Sequence, residues 1–160
     1  MTKTESSKQN ANREAKENAI NREVKTIDDK DEAAVKKDSK LLIDSSVWVL
    51  YFFGENKRVK EIIEQENFLL TSIFSLFEIR RKLLKEKYNE EKISKIISFI
   101  KTRSIMSELT EEICISAATN SVELVLPAID SLIYTSARKS NALLITADND
   151  FRGIKDVEIV

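Results

Sequence analysis

From Lys40 onward the chain alternates short apolar runs with stretches of helical period, and this alternation restricts the fold more than any other feature. Leu41-Leu42-Ile43 reads as a first strand over about 40–44. Ser45 or Ser46 is placed to cap a helix through Val47-Trp48-Val49-Leu50-Tyr51-Phe52, which Gly54 ends. A helix follows over about 56–66, with Val59, Ile62 and Ile63 on its apolar side, and then a short strand, Phe68-Leu69-Leu70. Ser72 precedes a long helix over about 73–87, with Phe74, Phe77 and Leu84 among its expected buried positions. Another helix over about 90–102 repeats the spacing at Ile93, Ile96, Ile97 and Ile100. Ser104-Ile105-Met106 reads as a strand, and Thr110 with Glu111 and Glu112 opens a helix to about Asn120. Pro127 suits the first turn of a helix over about 127–140. A strand over 142–146, a polar loop over 147–156 and an edge strand over 157–160 close the chain. Strands separated by helices need crossover connections, so the expected fold is α/β, a mainly parallel central sheet with helices on both faces.

Residues 1–39 have a different composition, rich in Lys, Glu, Asp, Asn and Ser and free of aromatics. Such a stretch cannot bury enough apolar surface to offset the entropy of ordering. It reads as a polar, mostly disordered extension with room for a fraying helix over about 11–25, or as a segment that folds on a partner. The expected organisation is therefore this extension followed by one domain over 40–160.

Several chemistries are excluded by what is missing. The chain has no histidine, which removes imidazole general bases and His-ligated metals. Cys114 is the only cysteine, so neither an internal disulfide nor a zinc ribbon can form, and Ile113-Cys114-Ile115 reads as a buried small hydrophobe. With glycine only at Gly54 and Gly153, no Gly-rich loop cradles a nucleotide phosphate. No signal-peptide pattern opens the sequence, and no apolar run approaches the roughly 18 residues of a membrane span. The expectation is a soluble cytoplasmic protein. A net charge of -1 neither announces nor rules out a nucleic-acid partner.

Four acidic residues sit where this fold would bring carboxylates together. Asp44 ends the first strand and Asp148 follows a late one, while Glu78 and Asp130 interrupt the apolar faces of two helices. In open α/β sheets ligands bind outside the carboxyl ends of the strands. Hard oxygen ligands gathered there suit Mg²⁺ or Mn²⁺. Each acid also has a plainer reading. Asp44 could cap a helix, although Ser45 and Ser46 are available for that. Glu78 could pair with Arg81 or Lys82 one turn away. Asp130 complements a helix dipole, and the Asp148-Asn149-Asp150 segment could serve a turn.

Four segments carry a resemblance. They are Leu41-Leu42-Ile43-Asp44-Ser45-Ser46-Val47-Trp48, Thr71-Ser72-Ile73-Phe74-Ser75-Leu76-Phe77-Glu78-Ile79, Ala128-Ile129-Asp130-Ser131-Leu132-Ile133 and Leu143-Leu144-Ile145-Thr146-Ala147-Asp148-Asn149-Asp150-Phe151. In this order and spacing the chain from about 40 to 160 resembles the PIN-domain ribonucleases, and more narrowly the VapC-type toxins of toxin–antitoxin pairs. The resemblance implies a Rossmann-like sheet and metal-dependent endonuclease activity on RNA, with Mg²⁺ or Mn²⁺ as cofactor. Asp44, Glu78, Asp130 and Asp148 would form the catalytic quartet, with Asp44, Asp130 and Asp148 as metal ligands. Ser46 and Thr146 look like the accompanying hydroxyls, and Asp150 looks auxiliary. An antitoxin and a second copy of the chain are the implied protein partners. Tyr134 stands where the family usually has something small, which would narrow the cleft or alter an interface.

With no histidine, the attacking water must be activated by metal with help from a carboxylate. Arg80, Arg81, Lys85, Arg138, Lys139 and Arg152 are candidates to hold the RNA backbone, against the plainer reading that they are solvated helix faces. Trp48 and Tyr51-Phe52-Phe53 read as core or dimer interface. The competing functions are a PIN-type nuclease of RNA processing or quality control without an antitoxin, and a non-catalytic acidic-pocket regulatory domain. The second lacks an acidic neighbour beside Asp44 and a lysine after Thr146.

Overall fold

The computed structural model describes residues 40–160, and the expectations for residues 1–39 lie outside the described residues. Strand β1 (Lys40–Ile43) leads into helices α1 (Ser45–Phe53) and α2 (Lys57–Glu64). Next come β2 (Phe68–Ser72), α3 (Ile73–Lys85), α4 (Glu90–Arg103) and β3 (Ile105–Ser107). The chain finishes with α5 (Glu111–Glu123), α6 (Ala128–Lys139), β4 (Ala142–Thr146), a 3-10 turn (Asn149–Phe151) and β5 (Val157–Ile159). The expected loop over 147–156 thus contains one turn of regular structure.

All five strands are parallel, in the order β3-β2-β1-β4-β5. Alternation along the strands divides the core. Leu41, Ile43, Leu69 and Ile145 face the side covered by α1 to α4, through Val47, Trp48, Ile63, Ile79, Leu83 and Ile93. Leu42, Leu70 and Leu144 face the other side, where Ile133, Tyr134 and Ala137 of α6 pack with Phe151. Trp48 is fully buried and donates its indole N–H to Thr71, while Phe52 stacks on its ring and Tyr51 and Phe99 meet it edge-on.

Several expected positions are corrected. Helix α3 buries Ser75, Ile79 and Leu83 at four-residue spacing, so Phe77 and Leu84 fall on the far side, 55% and 49% exposed. Helix α5 buries Ile113 and Ala117, which turns Cys114 out to solvent rather than into the core. Tyr134 is buried rather than lining a cleft. Its ring is core, and its hydroxyl donates to the Lys155 carbonyl. Gly54 does end α1, but in extended backbone. A Cβ there would lie 2.8 Å from the Leu50 carbonyl oxygen, so space excludes a side chain.

Candidate active site

Strand β1 is bonded to β2 on one side and β4 on the other, so chain direction around the sheet reverses between β1 and β4. Such a switch point opens a crevice outside the carboxyl strand ends. Asp44 and Asp148 stand on its two sides, one residue past β1 and two past β4. Glu78 enters from α3, and Asp130 from the first turn of α6.

Asp44 is 4% exposed and its carboxylate is heavily engaged. Oδ1 accepts the Ser45 N–H at 2.6 Å. Oδ2 accepts the Ser46 N–H at 3.4 Å, the Ser46 hydroxyl at 2.6 Å and the Thr146 hydroxyl at 2.9 Å. Asp44 is therefore the cap of α1, and the expectation that Ser45 or Ser46 would take that role is corrected. The two hydroxyls extend the network across the switch point. Ser46 Oγ accepts the Ala147 N–H at 3.0 Å, and Thr146 Oγ1 accepts the Asp148 N–H at 3.1 Å. Two relays thus pin the turn after β4 onto one oxygen of Asp44.

Asp148 in turn accepts the Asp150 N–H at 2.9 Å, which starts the 3-10 turn and folds the two carboxylates onto the same side. Carboxylate oxygens of Asp130, Asp148 and Asp150 lie within 4.8 Å of one another. Asp150, expected as auxiliary, belongs to this closest group, and Asp44 does not. The clue lay in the spacing Asp148-Asn149-Asp150, which becomes informative once a tight turn joins the pair.

Asp130 is half-buried and accepts no hydrogen bond among the described residues. Burial pushes its pKa from 3.8 up to about 6, and the fields of Asp44, Glu78, Asp148 and Asp150 add to the rise. Glu78 is also raised, first by burial and then by Asp44 and Asp148, against the hydrogen bond from the Ser45 hydroxyl at 2.8 Å and the field of Arg81. No ion pair joins Glu78 to Arg81 or Lys82 among the described residues. The salt-bridge reading of Glu78 is corrected accordingly.

An all-oxygen cluster whose central acid lacks a donor and resists ionisation suits a hard divalent cation. On these observations Asp130, Asp148 and Asp150 could hold a divalent cation. The basic candidates separate. Arg80 pairs with Glu90, Arg138 with Asp156 and Lys139 with Glu112, while Arg152 bonds Asn149.

The PIN domain family profile matches residues 41–157, and the chain belongs to the PIN domain family. Its fold is similar to that of VapBC-1 from nontypeable Haemophilus influenzae (TM-score 0.62, 20% identity, 76% of this chain and 96% of that one). It is also similar to VapBC2 from Rickettsia felis bound to a promoter DNA fragment (0.62, 17%, 76% and 97%). A third similar structure is VapC20 of Mycobacterium tuberculosis, described as a sarcin-ricin loop cleaving toxin (0.59, 17%, 72% and 95%). No curated protein sequence matches the chain. Among the described residues no single helix is long and apolar enough to cross a membrane.

Proposed function

We propose that this PIN-domain protein is a metal-dependent endoribonuclease, the toxin of a cytoplasmic toxin–antitoxin pair, hydrolysing RNA phosphodiester bonds. The observation that carries the reading is the convergence of Asp130, Asp148 and Asp150 within 4.8 Å at the switch point of a parallel sheet. The toxin part is supported by similarity of fold to proteins described as toxins or as toxin–antitoxin complexes.

Asp130, Asp148 and Asp150 would hold Mg²⁺ or Mn²⁺, with Asp44 as a further ligand through the less engaged Oδ1. When bound, the cation would polarise the phosphate and make water a stronger acid. Glu78 is the proton acceptor in this reading. It lies at the crevice, its raised pKa moves it toward the working pH of a general base, and the chain has no histidine to compete. Ser46 and Thr146 keep Asp44 oriented and hold the Asp148 backbone in place. Exposed apolar residues on α3 (Phe77, Leu84) and α5 (Ile115, Val122) offer surfaces for a second copy and an antitoxin.

Purified full chain is expected to cleave RNA with Mg²⁺ or Mn²⁺, to stop with EDTA, and to lose cleavage as Asp130→Asn. Equal cleavage by that variant would defeat the assignment. Co-expression with the product of an adjacent small gene should neutralise toxicity and yield a complex on size exclusion.

A further inference from the structure

Beside the acidic cluster a cleft of about 320 Å³ opens between α1 and α3. Ser45, Ser46 and Glu78 form the end nearest the acids, and Arg81, Lys82 and Lys85 line its wall. At 3.6 residues per turn, Glu78 and these three cations fall on one flank of α3. That helix starts at the carboxyl edge of β2 and runs back along the sheet. The cations therefore begin one turn beyond Glu78 and step away from the acids.

Ion pairing sets this row apart from three of the four other basic candidates, and the fourth, Arg152, lies outside this cleft and bonds Asn149. Arg80, Arg138 and Lys139 are each neutralised by a carboxylate, whereas Arg81, Lys82 and Lys85 form no ion pair among the described residues. Glu78 shares their cleft, yet its carboxylate accepts the Ser45 hydroxyl instead. Three unneutralised cations side by side repel one another, and an anion lying along them removes that cost. A small anion would gain nothing from the acids next door. A polyanion of regularly spaced charge uses both, with one phosphate at the acids once a cation is bound there and its neighbours on the basic wall.

We propose that the α1–α3 cleft is the track for the backbone of the RNA strand on one side of the bond to be cleaved, with Arg81, Lys82 and Lys85 gripping its phosphates. Lys82 belongs to the grip on the same footing as the other two, and Arg80, Arg138 and Lys139 do not. These residues position the strand, and the proposal rests on the nuclease reading above.

The test compares full-length native chain with Arg81→Gln/Lys82→Gln/Lys85→Gln and with the charge-matched Lys57→Gln/Lys60→Gln/Lys95→Gln. Binding of fluorescent oligouridylate is followed across a salt series in EDTA, and cleavage kinetics on total RNA are followed with Mn²⁺. Removing three phosphate contacts should flatten the log–log salt dependence by about 2, at roughly 0.7 per contact for a single strand. KM should rise about tenfold or more while kcat stays within about twofold, because the lost contacts act equally before and during the chemical step. The swapped triple Arg81→Lys/Lys82→Arg/Lys85→Arg should restore both, and the charge-matched control should match native. Native affinity and salt slope in the triple variant would overturn the track while native cleavage kept the nuclease reading intact. No metal-dependent cleavage by the native chain would remove the nuclease reading and the track with it. If the triple variant loses binding to polyglutamate but keeps its grip on oligouridylate, the cleft serves an acidic protein and the track is wrong.

Discussion

Asp44 and Asp130 face the same crevice but are held in opposite ways, and their replacement should separate structure from chemistry. Both oxygens of Asp44 accept hydrogen bonds in a buried setting. Asparagine would present an NH₂ to at least one of those donors, and an orphaned buried group costs about 1–3 kcal/mol. Asp44→Asn should therefore melt earlier as well as lose activity. Asp130 accepts nothing among the described residues, so Asp130→Asn should lose cleavage with no loss of metal-free stability. The sign of its pH dependence follows from the same setting. Its folded pKa, about 6, lies above the ordinary 3.8, so the native state holds a proton that the unfolded chain releases between those values. Its contribution is best below about pH 4, falls as pH rises to about 6, and is level above. In EDTA the native melting temperature should drop relative to Asp130→Asn across that window. A difference independent of pH would mean that Asp130 titrates normally.

At the scale of elements, the site depends on short connections that fix where carboxylates point. The loop from α5 to α6, which delivers Asp130, includes Val125 at φ 56° and 87% exposed. A β-branched residue in the left-handed region is strained, by about 1–2 kcal/mol, and asparagine tolerates that conformation far better. Val125→Asn should stabilise by about 1 kcal/mol, seen as a rise of a few degrees in melting temperature. An unchanged or lower value would place that loop's backbone elsewhere. Elements with one dominant apolar stripe were legible in sequence. The expected helix over 90–102 is α4, and its Ile93, Ile96 and Ile100 are buried. Strand β4 lies at 142–146 as expected. Helix α3 misled because it carries two apolar stripes, and the one that packs includes the small Ser75 while bulky Phe77 stays outside. The position of Asp44 at the carboxyl end of β1 was legible because an apolar run simply stops there. Its capping role was not, since the neighbouring serines satisfy the same local rule and only the approach of Thr146 from β4 decides between them. The grouping of Asp150 with Asp130 was not legible for a similar reason. Its proximity to Asp130 arises from a 3-10 turn and a distant helix, neither encoded in the local pattern.

Across the described residues the acids gather at the switch point of a parallel sheet with order β3-β2-β1-β4-β5, and the sheet has to hold them together against their mutual repulsion. In the absence of a cation, burial first and the neighbouring acids after it raise Asp130 and Glu78, so protonation meets part of that cost. A divalent ion that binds only the folded chain should relieve the remainder. At a hundredfold excess over its dissociation constant it would add about 2.7 kcal/mol. Because the ion must displace the proton on Asp130, binding should weaken as pH falls through about 6. Mg²⁺ and Mn²⁺ should therefore raise the melting temperature of the native protein clearly at pH 7.5 and much less at pH 5. Asp148→Asn should reduce the response at the higher pH and raise the metal-free melting temperature, since one repelling charge is gone. Melts of both proteins with EDTA, Mg²⁺ and Mn²⁺ at the two pH values, at matched ionic strength, read all of this directly. A response equal at both pH values, or equal in the variant, would show that the ion binds outside the cluster. The fold would then have gathered its carboxylates for some purpose other than holding a cation.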